Sequence, residues 1–294
     1  MRSRISAMLM KRLLRPKLNH QYPPEAQRRA LDTFARLQIM PSGIEVEISR
    51  LGGRPAEILT PANHDPGRAL LYFHGGGYVV GSARGFRVPA AHLAKACRCR
   101  VYSLDYRLAP EHPFPAAVDD ALAAFAELGS RLAPQHLAVA GDSAGAGLAL
   151  SMMLRLRERG QALPGCALLL CPLADLTLSG ESMQRNRHVE PLLTREWLAI
   201  NNEYYSAETP REDPLLSPIF ADLSGLPPML IQAAGNDLLL DDARRLHAAA
   251  KDAGVDSKLE VFADLGHDFQ LAPDLVPEAR RAIAMAGAYV KIRQ

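Results

Sequence analysis

Four cysteines and one tryptophan are all that this chain of 294 residues contains of either type. Cys97 and Cys99 flank a single arginine, and Cys166 and Cys171 bracket Ala-Leu-Leu-Leu. Neither spacing is a CxxC and no histidine pair completes a zinc pattern, so a structural zinc module is excluded. Four reduced thiols packed as small apolar side chains are expected. A surplus of one charge is missing too. Lys+Arg 34 against Asp+Glu 32 leaves a formal +2, which gives no electrostatic case for nucleic acid. No stretch is long and apolar enough to span a bilayer. The start MRSRISAMLMKRLLRPKL is broken by Lys11 and Arg12 where a secretory signal would stay apolar. The cytoplasm is the expected location.

Internal repeats and low-complexity linkers are likewise absent, and 48% hydrophobic with 22% charged residues is ordinary globular composition. Residues 1–40 predict two helices. One carries Ile5, Met8, Leu9 and Leu13 on a stripe, and the other, after Pro23-Pro24, carries Ala30, Leu31, Phe34 and Leu37. From Ile44 the pattern alternates through Ile48, turns at Leu51–Pro55 and resumes at Ala56–Leu59, an antiparallel hairpin. Apolar runs then alternate with helical segments. The predicted strands are Ala69–Phe73, Arg100–Leu104, Leu137–Ala140, Ala167–Leu170, Met229–Ala233 and Leu259–Phe262. The predicted helices are Val88–Ala96, Ala116–Leu128, Ala144–Glu158, Asp242–Ala253 and one near Glu278–Ile292. Buried strands alternating with helices mean an α/β fold with a mostly parallel eight-stranded sheet covered on both faces. Residues 1–43 are expected to form N-terminal cap helices and 44–294 the catalytic domain. The strandless stretch 175–220 is expected to add to the cap.

The chemistry concentrates in glycine-rich turns. Gly141-Asp142-Ser143-Ala144-Gly145 is a G-x-S-x-G between a predicted strand and helix. Glycines two before and two after the serine allow a very tight turn, which lifts the serine oxygen clear at a helix N-terminus. A dinucleotide fold is excluded, because Ser143 stands where the second glycine should be, and no GK[ST] supports a P-loop. His74-Gly75-Gly76-Gly77 follows the strand Ala69–Phe73, and its amides can face inward to hold an oxyanion together with the amide of Ala144. In such folds the order is serine, then acid, then histidine. His267, in the loop after the last strand, is the expected general base, while His247 sits within a predicted helix. Asp237 lies just past the strand Met229–Ala233 and is the first choice of acid, with Asp241, Asp242 and Asp264 as alternatives because helix caps look alike in sequence. Tyr78, Trp197 and Phe220 are expected to line the substrate pocket, and no metal site is expected.

These residues resemble the bacterial hormone-sensitive-lipase-like esterases of the α/β-hydrolase superfamily. The similarity lies in HGGG at 74–77, YRLAPE at Tyr106–Glu111, GDSAG at 141–145, the Asp237–Asp242 segment and Gly266-His267. It implies hydrolysis of short-chain carboxylic esters without metal or cofactor and a Ser143–His267–Asp237 triad. It also implies an oxyanion hole from Gly76, Gly77 and Ala144, and an N-terminal helical cap. YRLAPE would support the site from beneath. Relatives commonly dimerise, so a homodimer is compatible. One departure stands out: the family usually has glycine after the catalytic histidine, and this chain has Asp268. A lipase or an amidase on the same triad is the alternative activity. A basic, amphipathic N-terminus also leaves open an acyl hydrolase working at a membrane surface.

Overall fold

The computed structural model describes residue 8 and residues 10–294. Ile5 and Leu9 of the first predicted stripe lie outside the described residues. Eight strands form one sheet: β1 (Ile44–Leu51), β2 (Arg54–Pro61), β3 (Ala69–Phe73), β4 (Arg100–Leu104), β5 (Leu137–Asp142), β6 (Cys166–Leu170), β7 (Met229–Ala234) and β8 (Ser257–Phe262). Their order across the sheet is β1-β2-β4-β3-β5-β6-β7-β8, with β2 antiparallel to both neighbours and the rest parallel. The helices are α1 (Pro24–Ala35), α2 (Arg87–Cys97), α3 (Ala116–Gly129), α4 (Ala144–Glu158), α5 (Ser182–Arg185), α6 (Arg195–Ser206), α7 (Leu240–Asp252) and α8 (Pro277–Arg293). Among the described residues no helix is long and apolar enough to cross a membrane.

The central strands bury both faces, and their side chains separate by parity. Leu71 and Phe73 of β3 join the core formed with α3, α4 and α7, while Leu70 and Tyr72 join the one formed with α2 and α8. Chain direction across the sheet then creates the crevice. From β3 the chain passes through α2 to β4 on one side, and from β5 it enters α4 on the opposite face. The carboxyl ends of β3 and β5 are therefore where the connections diverge, and in open α/β sheets that divergence opens a binding crevice.

The N-terminal segment is less regular than its periodicity suggests. Residues Met10–Leu14 make one wide helical turn, in which Leu14 is buried and Leu13 is exposed. Helix α1 stops at Ala35, so Leu37 falls beyond it and lies in solvent, while Leu31 and Phe34 pack on the core as expected. Polar contacts fix the helix to the body. Arg28 donates to the carbonyls of Val79 (2.8 Å) and Ala109 (2.9 Å) and pairs with Glu111 (2.7 Å). Gln27, almost fully buried, accepts from Trp197 Nε1 at 2.7 Å.

Candidate active site

Ser143 sits at the junction of β5 and α4 with φ 52° and ψ −120°. A serine has no intrinsic preference for that conformation, so the surroundings must impose it. Two glycines make room: a Cβ on Gly141 would overlap the backbone of Gly145, and one on Gly145 would overlap the carbonyl of Phe73 in β3. We expect Gly145→Ala to cost about 3 kcal/mol of stability and about 10²-fold in kcat through displacement of the serine. Thermal melts and initial rates check this; a variant melting like wild type would mean that β3 yields at no cost.

The structure brings Ser143, His267 and Asp237 into one hydrogen-bonded row. Ser143 Oγ lies 2.9 Å from His267 Nε2, and His267 Nδ1 lies 2.8 Å from Asp237 Oδ2. A carboxylate only accepts, so Nδ1 carries the proton and Nε2 faces the serine hydroxyl. Asp237 is fully buried, and its Oδ1 accepts from the Leu239 amide at 2.9 Å. Asn186 Nδ2 holds the Asp237 carbonyl at 2.7 Å. The alternative acids are engaged elsewhere. Asp242 accepts the amides of Ala174 and Asp175 (2.9 and 3.0 Å), and Asp241 accepts the Ser182 amide and pairs with Arg185 and Arg244. Asp264 makes no side-chain hydrogen bond or ion pair among the described residues, and His247 bonds Ser257 away from the row.

Burial opposes charging His267, but the carboxylates of Asp237 and Asp268 outweigh it and hold its pKa well above the usual histidine value. Glu190 also approaches His267, accepting its main-chain N–H at 3.0 Å and the Leu192 amide at 2.6 Å. Burial, then the charge of Asp237, push the Glu190 carboxyl up to about 7. Beneath the row lies the Cys171 thiol, kept protonated first by burial and then by the charge of Asp237.

The HGGG loop opens opposite Ser143. Gly76 and Gly77 have φ 114° and 59°, and the Gly76 carbonyl accepts from Val79 and Val80 in a tight turn. The amides of Gly76, Gly77 and Ala144 donate to no acceptor among the described residues. Free amides in a glycine turn, and at a helix start in the case of Ala144, suit a developing negative charge. The YRLAPE segment braces this loop, with the Tyr106 hydroxyl donating to the His74 carbonyl at 2.7 Å and its ring stacked on His74. Glu111 lies on the other side, clipped to α1 through Arg28.

The three expected pocket residues part ways. Trp197 is buried beside the loop, its ring 3.1 Å from where a Cβ on Gly77 would stand. Tyr78 is locked in a parallel stack on Tyr205 at 3.7 Å, with its hydroxyl against Gly147, so it packs the core. Phe220 is 44% exposed on the turn Pro218–Phe220, which packs against α4 and α7. An isolated aromatic in a loop reads the same in sequence whether it lines a pocket or faces water. Asn201, which the sequence did not mark, presents Nδ2 2.8 Å from that same Gly77 position. A small cavity of about 50 Å³ beside His267 and Asp268 is roofed by Met10, Leu14, Leu31 and Phe34. It continues past Met10, Phe34 and Leu271 into an apolar groove of about 290 Å³.

Residues 70–271 match a family model described as alpha/beta hydrolase fold. An acetyl-hydrolase of Streptomyces hygroscopicus is 40% identical over 264 residues, covering 90% of this chain and 87% of that one. A crystal structure of an esterase from the bacterial hormone-sensitive lipase family superposes with TM-score 0.94 at 38% identity, covering 98% of this chain and 97% of that one. A hormone-sensitive lipase from a metagenome library superposes with TM-score 0.96 at 35% identity, covering 100% of this chain and 98% of that one. The chain belongs to the α/β-hydrolase family and, within it, to the hormone-sensitive-lipase-like esterases.

Proposed function

We propose that the protein hydrolyses short-chain carboxylic esters through a Ser143–His267–Asp237 triad and an acyl-enzyme. What supports this above all is the unbroken hydrogen-bonded row from Ser143 Oγ to Asp237, next to a glycine loop that runs close against the Ser143 side chain. His267 Nε2 takes the hydroxyl proton as Ser143 Oγ bonds to the ester carbonyl carbon. Asp237 keeps the imidazole in the Nδ1–H tautomer and stabilises its charged form. The amides of Gly76, Gly77 and Ala144 hold the oxyanion. The alkoxide leaves with the proton from Nε2, and water, deprotonated by the same nitrogen, releases the acid from Ser143. No step needs a metal or cofactor. The cavity beside His267 suits a small acyl group, and one relative is named an acetyl-hydrolase. Four free, buried cysteines fit a reducing, cytoplasmic setting. Residues 1–43 act as the cap, with 175–220 supplying its second wall.

A p-nitrophenyl ester series from acetate to palmitate tests the substrate class. The highest kcat/KM is expected between acetate and hexanoate, with a fall of at least about tenfold by laurate, because each methylene beyond the pocket loses its burial gain. A maximum at palmitate would make the protein a lipase, and faster turnover of the matching anilide would make it an amidase.

A further inference from the structure

His267 carries a second carboxylate on the side where it meets the serine. Asp268 Oδ2 lies 3.0 Å from Nε2, nearly as close as Ser143 Oγ at 2.9 Å. The residue adopts left-handed φ 50° and ψ 37°, a backbone that favours glycine and tolerates Asp and Asn. Its side chain is buried. A carboxylate oxygen and the lone pair of neutral Nε2 repel at this distance, whereas the same contact is attractive once Nε2 bears a proton. The geometry therefore favours the imidazolium.

A second acid stands behind it. Asp142, in the x position of the G-x-S-x-G, is buried, accepts the Tyr72 hydroxyl on Oδ1, and leaves Oδ2 without a partner. Asp268 likewise leaves Oδ1 without one. Neighbouring buried carboxyls resist ionising together. Burial first, then the charge of Asp268, push the Asp142 carboxyl well above the usual range; burial raises Asp268 too, against the opposing pull of the His267 charge. The other titratable groups around the pair are Asp237 after β7, Glu190 in the inserted segment, Tyr72 in β3 and Cys171 after β6. Among the described residues of the N-terminal segment, only apolar side chains and Gln38 reach the cavity.

Resting on the assignment of Ser143 and His267 as nucleophile and base, we propose that Asp268 is a positioning residue that grips His267 at Nε2 and sets the pH at which the base becomes available. His267 then sits between two carboxylates whenever it is charged, both at rest in acid and in the transition states of acylation and deacylation. The consequence has a definite sign. Below its raised pKa the histidine is imidazolium and cannot accept the serine proton, so the acid limb of kcat/KM lies above the ordinary value of 6.5.

The experiment compares wild type with Asp268→Asn and Asp268→Gly, both compatible with the left-handed backbone, and with Asp264→Asn as a control. Asp264 is an exposed carboxylate on the same loop, also at positive φ. Two quantities are followed from about pH 5 to about pH 9: kcat/KM for p-nitrophenyl butyrate, and the rate at which a fluorophosphonate labels Ser143. In both Asp268 variants the acid midpoint should fall by about one unit or more, which reads as kcat/KM about tenfold above wild type at a pH below both midpoints. The control should track wild type. A loop-supporting role alone would lower rates at every pH and leave the midpoint unmoved, and that result overturns the proposal. So does a wild-type midpoint at or below the ordinary histidine value, which needs no variant to fold. Failure of the probe to label Ser143 in wild type would instead remove the underlying serine-hydrolase assignment.

Discussion

Ser143→Ala is expected to lose about 10⁴-fold or more in kcat while keeping its fold. The alanine side chain is smaller and removes no packing contact, but the strained backbone at this position remains imposed by Gly141, Gly145 and their neighbours. The melting temperature should therefore stay near that of wild type. What disappears is the atom that bonds to the carbonyl carbon, and the free amides of Gly76, Gly77 and Ala144 supply the residual rate. Titration with a fluorophosphonate gives the second readout, with one labelled peptide containing Ser143 in wild type and none in the variant. Label at another residue, or a variant within tenfold of wild type, would remove the nucleophile assignment.

Deleting residues 1–40 is the other change with a large expected effect. It removes the roof of the small cavity, Met10, Leu14, Leu31 and Phe34. It also removes Arg28 from the carbonyls of Val79 and Ala109, and Gln27 from Trp197. Val79 belongs to the turn that carries Gly76 and Gly77, so the oxyanion loop loses a support as well as a cover. Stripping buried Leu and Phe side chains and leaving these partners unpaired should cost several kcal/mol, a fall of about 10 °C in melting temperature. KM for butyrate esters should rise about tenfold, since the acyl group then sits in water. Labelling of Ser143 by the fluorophosphonate should persist. A truncated protein with unchanged KM, chain-length preference and melting temperature would show that the segment is no cap. If the full chain alone sedimented with anionic liposomes, the segment would be a membrane-surface anchor.

Where strands are buried on both faces, their residues are legible directly. Ala69–Phe73 and Arg100–Leu104 carry the predicted bounds. The edge strand β8 begins at Ser257, two residues before the predicted Leu259, because Ser257-Lys258 on a partly open edge lacks apolar character. Glycine spacing and chain order single out Ser143 and His267 as candidate nucleophile and base. Asp237 comes first as candidate acid from its place after β7, but Asp241, Asp242 and Asp264 stay open in sequence because helix starts look alike, and only their partners distinguish them. Glu190, Gln27, Arg28, Asn201 and Asp142 were missed for one reason. Each acts through a partner distant in sequence, as with Gln27 and Trp197, or through a buried environment, and neither leaves a local periodic trace. Leu13 and Leu14 exchanged roles because the N-terminal turn is wider than the regular helix its stripe implies.

Ser143, Asp237 and His267 follow β5, β7 and β8, all on one side of β3 in the sheet, while β4, β2 and β1 lie on the other. The proposed triad therefore stands on one side of β3, and the other side reaches the site through Tyr106, after β4, which braces the HGGG loop. A substitution in the β1–β2 hairpin touches none of the proposed triad and is expected to act mainly on how much of the protein is folded. One between β5 and β8 can silence the chemistry in a fully folded chain. The outer strand of that hairpin already exposes Ile48 to water, so substitution there is expected to cost little in fold or in rate.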